Sequence, residues 1–208
     1  MPKDKLTPMK KILTFALLLV LQFVVAQPKN LIEDNKEYRK KINKDFYNKE
    51  KTPLPAVDLY SFKGLPYFPI EAAFLVTAKF TRTPAEAPFM MKTTTDRTPI
   101  YIKYGHVSFS LEGKNFVLNV YQNIDFMAAA EERNLLFIPF TDLTNGKETY
   151  GGGRYLDLET PKSAEIYLDF NKAYNPYCAY NEKYSCPIPP KENHMEIRVA
   201  AGMKKYRE

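Results

Sequence analysis

The segment 107-VSFSLEGKNFVLNVY-121 decides the fold class. Apolar residues occupy every second position from Val107 to Leu111, and again from Phe116 to Val120, on either side of Gly113-Lys114. A period of two is typical of a strand with one buried face, and a glycine between two such runs is typical of a tight turn. The segment therefore predicts a β-hairpin.

Further short strands are predicted on both sides of this hairpin. Alternating or short apolar runs occur at 74–80, 135–140, 166–170 and 197–199, and the total is about seven or eight short strands, a number typical of barrels and sandwiches. No segment of helical length separates them, which argues against a parallel α/β sheet. Segment 122–134 is compatible with a short helix or a loop. The predicted fold is mainly β, an antiparallel barrel or sandwich of short strands.

One amphipathic helix is predicted before the strands, at 30–50. Leu31, Tyr38, Ile42 and Phe46 follow one another at spacings that place them on one helical face, and charged residues fill the rest. Thr52-Pro53 ends the helix.

The N-terminus has the pattern of a secretory signal peptide. Four lysines precede the apolar run 12–26, and Val24-Val25-Ala26 is a suitable cleavage site. The run is shorter than the ~20 residues of a membrane-spanning helix. The sequence predicts a signal peptide at 1–26 and a single β-rich domain at 27–208, located in the periplasm or secreted, without membrane association after cleavage.

Removal of the signal peptide changes the charge argument. The net charge falls from +6 to +3, and the remaining basic residues are mixed with acidic ones. Nucleic-acid binding is therefore not expected, because it requires a clustered basic surface.

Cys178 and Cys186 are the only two cysteines. In an exported protein such an isolated pair predicts a disulfide. Free thiols are the alternative. A metal site would need two further ligands, which the two histidines do not supply at a suitable spacing, so neither a metal nor another cofactor is expected.

Candidate site residues are concentrated between 139 and 193. Asp142 and Glu148 flank Thr144-Asn145-Gly146, and they are candidate catalytic acid and base residues if their pKa values differ. The alternative is that Asp142 and Asn145 only stabilise a turn through backbone hydrogen bonds.

Arg154 follows Gly151-Gly152-Gly153. A phosphate loop is excluded, because an extended segment and not a helix comes next. The glycines predict a bulge or a close backbone approach. Arg154 is a candidate anion clamp, and the alternative is a structural ion pair with Asp142, Glu148 or Asp169.

A further group of candidate ligand-binding residues follows the strand at 166–170: Asp169, Asn171, Tyr174 and Asn175. Carboxylates and amides at a strand end form many binding sites. They also tie down loops through backbone hydrogen bonds, so both interpretations stay open.

The chain resembles the bacterial family called domain of unknown function 1684 over roughly residues 45–204. The resemblance rests on these residues: Phe140-x-Asp142-x-Thr144-x-Gly146-x-Glu148-Thr149-Tyr150, Gly152-Gly153-Arg154-Tyr155-Leu156, Asp169-Phe170-Asn171, Ala173-Tyr174-Asn175-Pro176, Cys178-Ala179-Tyr180, Cys186-Pro187-x-Pro189-Pro190-x-x-Asn193, Ala201-Gly202, and upstream Phe62-x-Gly64-Leu65-x-Tyr67-Phe68. Met203 departs from the pattern, which usually has an acidic residue there.

The resemblance implies no activity. Because members without export signals carry the same two cysteines, it also weakens the argument for a disulfide. The function expected from the sequence is a β domain that binds a small polar or anionic ligand through Arg154 and nearby tyrosines. The alternatives are a hydrolase with Asp142 or Glu148 as general base, and a structural or interaction protein of the cell envelope.

Overall fold

The computed structural model describes residues 30–125 and 134–207. The predicted signal peptide at 1–26 lies outside these residues, and so does most of segment 122–134. No helix in the described part of the chain is long and apolar enough to cross a membrane.

The described elements are two α-helices followed by eight β-strands. The helices are Leu31–Tyr47 (α1) and Ala56–Leu59 (α2). The strands are Leu75–Arg82 (β1), Phe89–Met90 (β2), Ile100–Leu111 (β3), Lys114–Asn123 (β4), Leu135–Asp142 (β5), Arg154–Glu159 (β6), Glu165–Asp169 (β7) and His194–Met195 (β8).

The strands form one curled sheet with the order β6-β5-β4-β3-β1-β7. Neighbours along this order are antiparallel, β2 adds to β3, and β8 runs parallel to β5. The sheet has the shape of a half-barrel, which confirms the mainly β, barrel-type fold predicted from the sequence. A cavity of about 200 Å³ lies between β6 and β7, the two ends of the order.

The predicted hairpin is confirmed as β3 and β4, whose register pairs Leu111 with Lys114. Glu112 and Gly113 form the turn, and both have positive φ, 50° and 75°. Two-residue turns of this hand match the twist of the flanking strands. This local geometry explains why the alternation resumes directly after the glycine.

The main core fills the concave side of the sheet. Val107, Val120, Ile138 and Phe140 come from three adjacent strands and are fully buried together with Phe170. Each such side chain stabilises the fold by about 1.5–3 kcal/mol on transfer from water.

Helix α1 confirms the predicted amphipathic segment and packs at the edge of the sheet. Asn30 caps its first turn by accepting a hydrogen bond from the Glu33 amide. Phe46 lies in a second apolar cluster with Phe62 and Tyr180. The fully buried Asn35 donates to Asp169 Oδ2 at 2.7 Å. An amide therefore connects the helix to the end of β7.

The strand predicted at 197–199 is wrong. Ile197 and Val199 are buried, but their segment has no regular ladder. The Val199 amide donates to the Asp142 carboxylate instead of to a neighbouring strand. A side chain thus replaces the backbone partner that a strand would have.

The predicted close backbone approach at the glycines is found at Gly153. Its φ is +92°, and a Cβ atom there would lie 2.7 Å from the Phe140 carbonyl oxygen and 2.7 Å from Pro189. Gly146 shares a positive φ of +78°, yet no atom lies within 4 Å of its Cβ position. A side chain at Gly146 would therefore meet only the strain of a positive φ, whereas a side chain at Gly153 would meet that strain and a steric overlap as well.

We expect Gly153→Ala to lower the free energy of unfolding by about 2–4 kcal/mol, because strain and overlap act together. Gly146→Ala should lower it by about 1 kcal/mol, since only the strain applies. Urea denaturation of both variants measures the difference. Equal losses would show that the contact with Phe140 is not rigid.

Candidate functional site

The predicted site residues Asp142 and Arg154 form a fully buried ion pair. Arg154 Nη2 donates to Asp142 Oδ2 at 2.7 Å, and neither side chain is exposed to water. Burial lowers the pKa of the Arg154 guanidinium, and the charge of Asp142 opposes that effect. Removing either charge would leave the other without compensation inside the protein.

The remaining bonds of Arg154 hold the C-terminal segment 199–203. Its guanidinium donates to the carbonyl oxygens of Val199 at 2.9 Å, of Ala201 and of Met203 at 3.4 Å. These carbonyl groups have no strand partner, so a side chain satisfies them.

Asp142 also organises the turn that follows β5. Its Oδ1 accepts from the amide and the hydroxyl of Thr144, at 2.8 and 2.6 Å. The Asn145 side chain accepts from the Asp142 amide at 2.6 Å and donates to the Tyr150 carbonyl at 2.9 Å. Asp142 and Asn145 therefore make the backbone hydrogen bonds that the turn interpretation expects of them.

The geometry does not support Arg154 as an anion clamp or Asp142 as a general base. A ligand could reach the guanidinium only by displacing the segment 199–203, and Asp142 is committed to Arg154 and to the turn. Glu148 is half-buried and paired with Arg198 through two bonds of 2.7 and 2.6 Å. These hydrogen bonds lower the pKa of Glu148, which weakens it as a base.

Asp169 and Asn171 tie three chain segments together. Asn171 is fully buried, accepts from the Glu71 amide at 3.0 Å and donates to the Glu71 carbonyl at 2.9 Å. Asp169 accepts from both Asn171 and Asn35. Asp169 and Asn171 thus make the loop-fixing contacts of the alternative interpretation.

Tyr174 and Asn175 line a cavity of about 510 Å³. It lies between α1 from Tyr38 onward, strand β6 and the segment 174–187. We call it the tyrosine basin, because five tyrosines line it: Tyr38, Tyr155, Tyr174, Tyr177 and Tyr184. Of the predicted ligand-binding residues, these two are the ones that the structure places at this basin.

Asp157 provides the carboxylate of the basin. It follows Tyr155 on the same face of β6 and accepts a hydrogen bond of 2.7 Å from the Tyr174 hydroxyl. Asp157 is an exposed residue, and nearby protein atoms partly desolvate its carboxyl group and raise its pKa. No ion pair of Asp157 is found within residues 30–125 and 134–207.

Asp157 also connects the basin to two smaller cavities. One of about 240 Å³ extends along Tyr101, Phe137 and Tyr155, and the cavity between β6 and β7 extends toward Tyr167 and Asp169. Asp157 lines all three. The carboxylate is thus at the meeting point of the concave surfaces on this side of the protein.

The predicted disulfide is not formed. Cys178 and Cys186 are free thiols, and the Cys178 amide donates to Cys186 Sγ at 3.1 Å. The Tyr150 hydroxyl lies 3.6 Å from Cys178 Sγ. Hydrogen bonds from Cys186, and more weakly from Tyr150 and Thr94, lower the pKa of Cys178 to about 6. The pair is a hydrogen-bonded dithiol, with the thiolate favoured on Cys178.

The described residues contain no group of three or more His, Cys, Asp or Glu side chains arranged to hold a metal ion. Within the same part of the chain, the polar groups of the tyrosine basin are five phenols, the hydroxyl of Ser185, the thiol of Cys186, the amide of Asn175, the ammonium group of Lys41, and the carboxylates of Asp45 and Asp157.

Known proteins share the sequence pattern of this chain. The profile of the family described as "Protein of unknown function (DUF1684)" matches residues 60–204. The chain belongs to the DUF1684 family. The match includes β6, the segment 174–187 and the Arg154–Asp142 pair, but not α1.

A solved structure extends the similarity to the fold. The solution NMR structure of an uncharacterized protein of Haloarcula marismortui is 35% identical, with a TM-score of 0.66. The similarity covers 83% of this chain and 92% of the Haloarcula marismortui protein. No curated protein sequence matches the chain. The DUF1684 family and the related fold carry no assigned activity.

Sequence reasoning missed Asp157 and Tyr155. Both lie in an alternating strand pattern in which Asp157 occupies a position typical of a solvated face. The basin exists because α1 contributes Tyr38 across the outer face of β6. Tyr38 precedes Asp157 by 119 positions, so the sequence around Asp157 does not indicate that the two residues share a cavity.

We expect Asp142→Ala to lower the free energy of unfolding by about 3–5 kcal/mol, because it leaves Arg154 as an unpaired buried charge. Asp142→Asn, which keeps part of the hydrogen bonding, should lose less. Glu148→Ala is the matched control, since its partly exposed pair with Arg198 should contribute less than about 1 kcal/mol. Thermal or urea unfolding compares them, and similar losses for Asp142→Ala and Glu148→Ala would contradict the structural role.

We expect Cys178 to be alkylated by iodoacetamide with a rate that rises through pH 6 and then levels, because the thiolate is the reactive form. Cys186→Ala should move this midpoint toward the ordinary value of about 8.5, since it removes the main hydrogen-bond donor. Mass spectrometry follows each cysteine separately. A wild-type midpoint near 8.5 would show that the dithiol does not stabilise the thiolate.

Proposed function

We propose that this protein is a small-ligand-binding β domain whose binding site is the tyrosine basin. The observation that carries the proposal is the aromatic cavity itself, at which the exposed Asp157 carboxylate has no ion pair among the described residues. Largely apolar cavities with a few convergent polar groups and a perturbed pKa are typical of ligand sites.

The dimensions of the basin support binding of a small molecule. A volume of about 510 Å³ falls within the range of roughly 300–1,000 Å³ that ligand pockets occupy. Its walls come from α1, β6 and the segment 174–187, and hydrogen bonds fix several of them. The Tyr38 hydroxyl donates to the Lys172 carbonyl at 3.1 Å, and the Tyr155 hydroxyl donates to the Pro187 carbonyl. Pre-formed walls reduce the entropy that binding costs.

Binding is favoured over hydrolysis as the function. The carboxylates that were candidates for a general base, Asp142 and Glu148, are each paired with an arginine, and neither lines the basin. We include export in the proposal, because residues 1–26 have the charge and apolar pattern of a signal peptide. The ligand would then be encountered in the periplasm or outside the cell.

The proposed binding site is tested by a tryptophan substitution that places a large side chain in the basin. Lys41 lines the basin from α1, and Lys40, its neighbour on the same helix, does not. Both are exposed, so tryptophan at either position should leave the fold intact. The probe is a library of soluble single-ring alcohols, amines and carboxylic acids, followed by ¹H–¹⁵N chemical-shift mapping.

We expect fragments to shift the amide signals of Asp157, Tyr174, Tyr177 and Cys186 in the wild type and in Lys40→Trp. Lys41→Trp should weaken the same fragments at least about tenfold, a loss of about 1.4 kcal/mol. If no fragment shifts the basin amides, or if both tryptophan variants bind equally, the basin is not the ligand site.

A further inference from the structure

Of the residues that the structure describes, one cationic and two anionic side chains line the tyrosine basin. Its charged lining residues are Lys41, Asp45 and Asp157. Asp45 lies 3.6 Å from Lys51, so its charge is partly compensated. Lys41 is an exposed residue of α1. Of the two carboxylates in this lining, Asp157 is the one without an ion pair among the described residues, and desolvation raises its pKa.

The tyrosines offer ring surface more than hydroxyl groups. The hydroxyls of Tyr38, Tyr155 and Tyr174 donate to Lys172, Pro187 and Asp157, respectively. The rings of Tyr155 and Tyr174 meet edge to face with centroids 5.8 Å apart. Tyr177 and Tyr184 form a second edge-to-face pair at 5.2 Å. Such rings carry negative potential on their faces, which attracts cations.

Among the described charged residues that line the basin, an anionic ligand would find one cationic partner, the exposed Lys41 of α1. The Tyr174 hydroxyl is already used by Asp157, and the guanidinium of Arg154 is buried against the segment 199–203. Placing an anion beside Asp157 would add like-charge repulsion in a partly desolvated site, where such repulsion is stronger than in water. The anionic ligand considered from the sequence is therefore disfavoured at this site.

We propose that the ligand of the tyrosine basin is an organic cation, an amine or quaternary ammonium compound with a small apolar body. The positive group lies against the Asp157 carboxylate and the tyrosine faces, and the apolar body lies against Ile42, Phe46 and Pro187. This inference rests on the proposed function, because it names the ligand class of the same basin.

The experiment compares three probes that share a phenyl ring and differ in charge: 2-phenylethylamine, 2-phenylethanol and 3-phenylpropanoate. Each is titrated at pH 7 into the wild-type protein and followed by chemical-shift mapping and calorimetry. We expect the amine to bind at least about tenfold more tightly than the alcohol, with the carboxylate weakest. Choline and its neutral isostere 3,3-dimethylbutan-1-ol form a second pair, which tests a quaternary ammonium group.

Two variants locate the source of the preference. Asp157→Asn should remove most of the advantage of the amine and change the affinity for the alcohol less than about twofold, because the cavity shape is kept. Glu159→Gln is the control, since Glu159 is two residues later on β6 and does not line the basin. It should keep the wild-type preference. The ¹H–¹⁵N spectra of both variants establish that they are folded.

The outcomes separate the two proposals. If the alcohol or the carboxylate binds in the basin as tightly as the amine, the cation class is overturned and the binding site stands. The same conclusion follows if Asp157→Asn keeps the amine preference. If none of the five probes shifts the basin amides, both proposals are overturned.

Discussion

The buried ion pair between Asp142 and Arg154 is the interaction on which the rest of this structure depends. It connects the end of β5 to the start of β6, and through Val199, Ala201 and Met203 it holds the C-terminal segment. Met203 then contacts the second apolar cluster, where its sulfur accepts a bond from the Tyr180 hydroxyl. Because breaking this pair would leave an uncompensated buried charge, the pair fixes the relative positions of these segments.

This arrangement explains how the tyrosine basin keeps its shape. Successive side chains of a strand point to opposite faces, so Arg154 and Leu156 face the interior while Tyr155 and Asp157 face the basin. The backbone of Tyr155 pairs with Tyr174 in both directions, at 2.9 and 3.0 Å. The hydrogen-bonded dithiol follows in the same segment, with Cys186 lining the basin. Strand β6 therefore carries both the side chains that anchor the interior and the side chains that line the basin.

The fold was predictable from local patterns, and the basin was not. The alternation around Gly113 and the spacing of Leu31, Tyr38, Ile42 and Phe46 each record a single buried face, which is a local property. The sequence around Asp157 does not indicate a cavity, because the surroundings of this residue come from α1 and from Tyr174. The many charged, amide and glycine residues at 142–154 indicated that this segment matters to the protein. The sequence alone does not distinguish polar residues that complete a core from polar residues that contact a ligand. The cysteine spacing likewise fitted a disulfide, and only the geometry showed a thiol accepting a backbone hydrogen bond.

The two faces of β6 have a consequence for how the DUF1684 fold tolerates change. Side chains alternate with a period of two, so an insertion or deletion of one residue between Gly151 and Gly153 would exchange the faces of the strand. Tyr155 or Gly153 would then occupy the place of Arg154, and an apolar leucine would replace Asp157 in the basin. The buried ion pair and the carboxylate of the basin would be lost in one step. The length of this glycine turn is therefore under tighter constraint than its exposed position on the surface suggests.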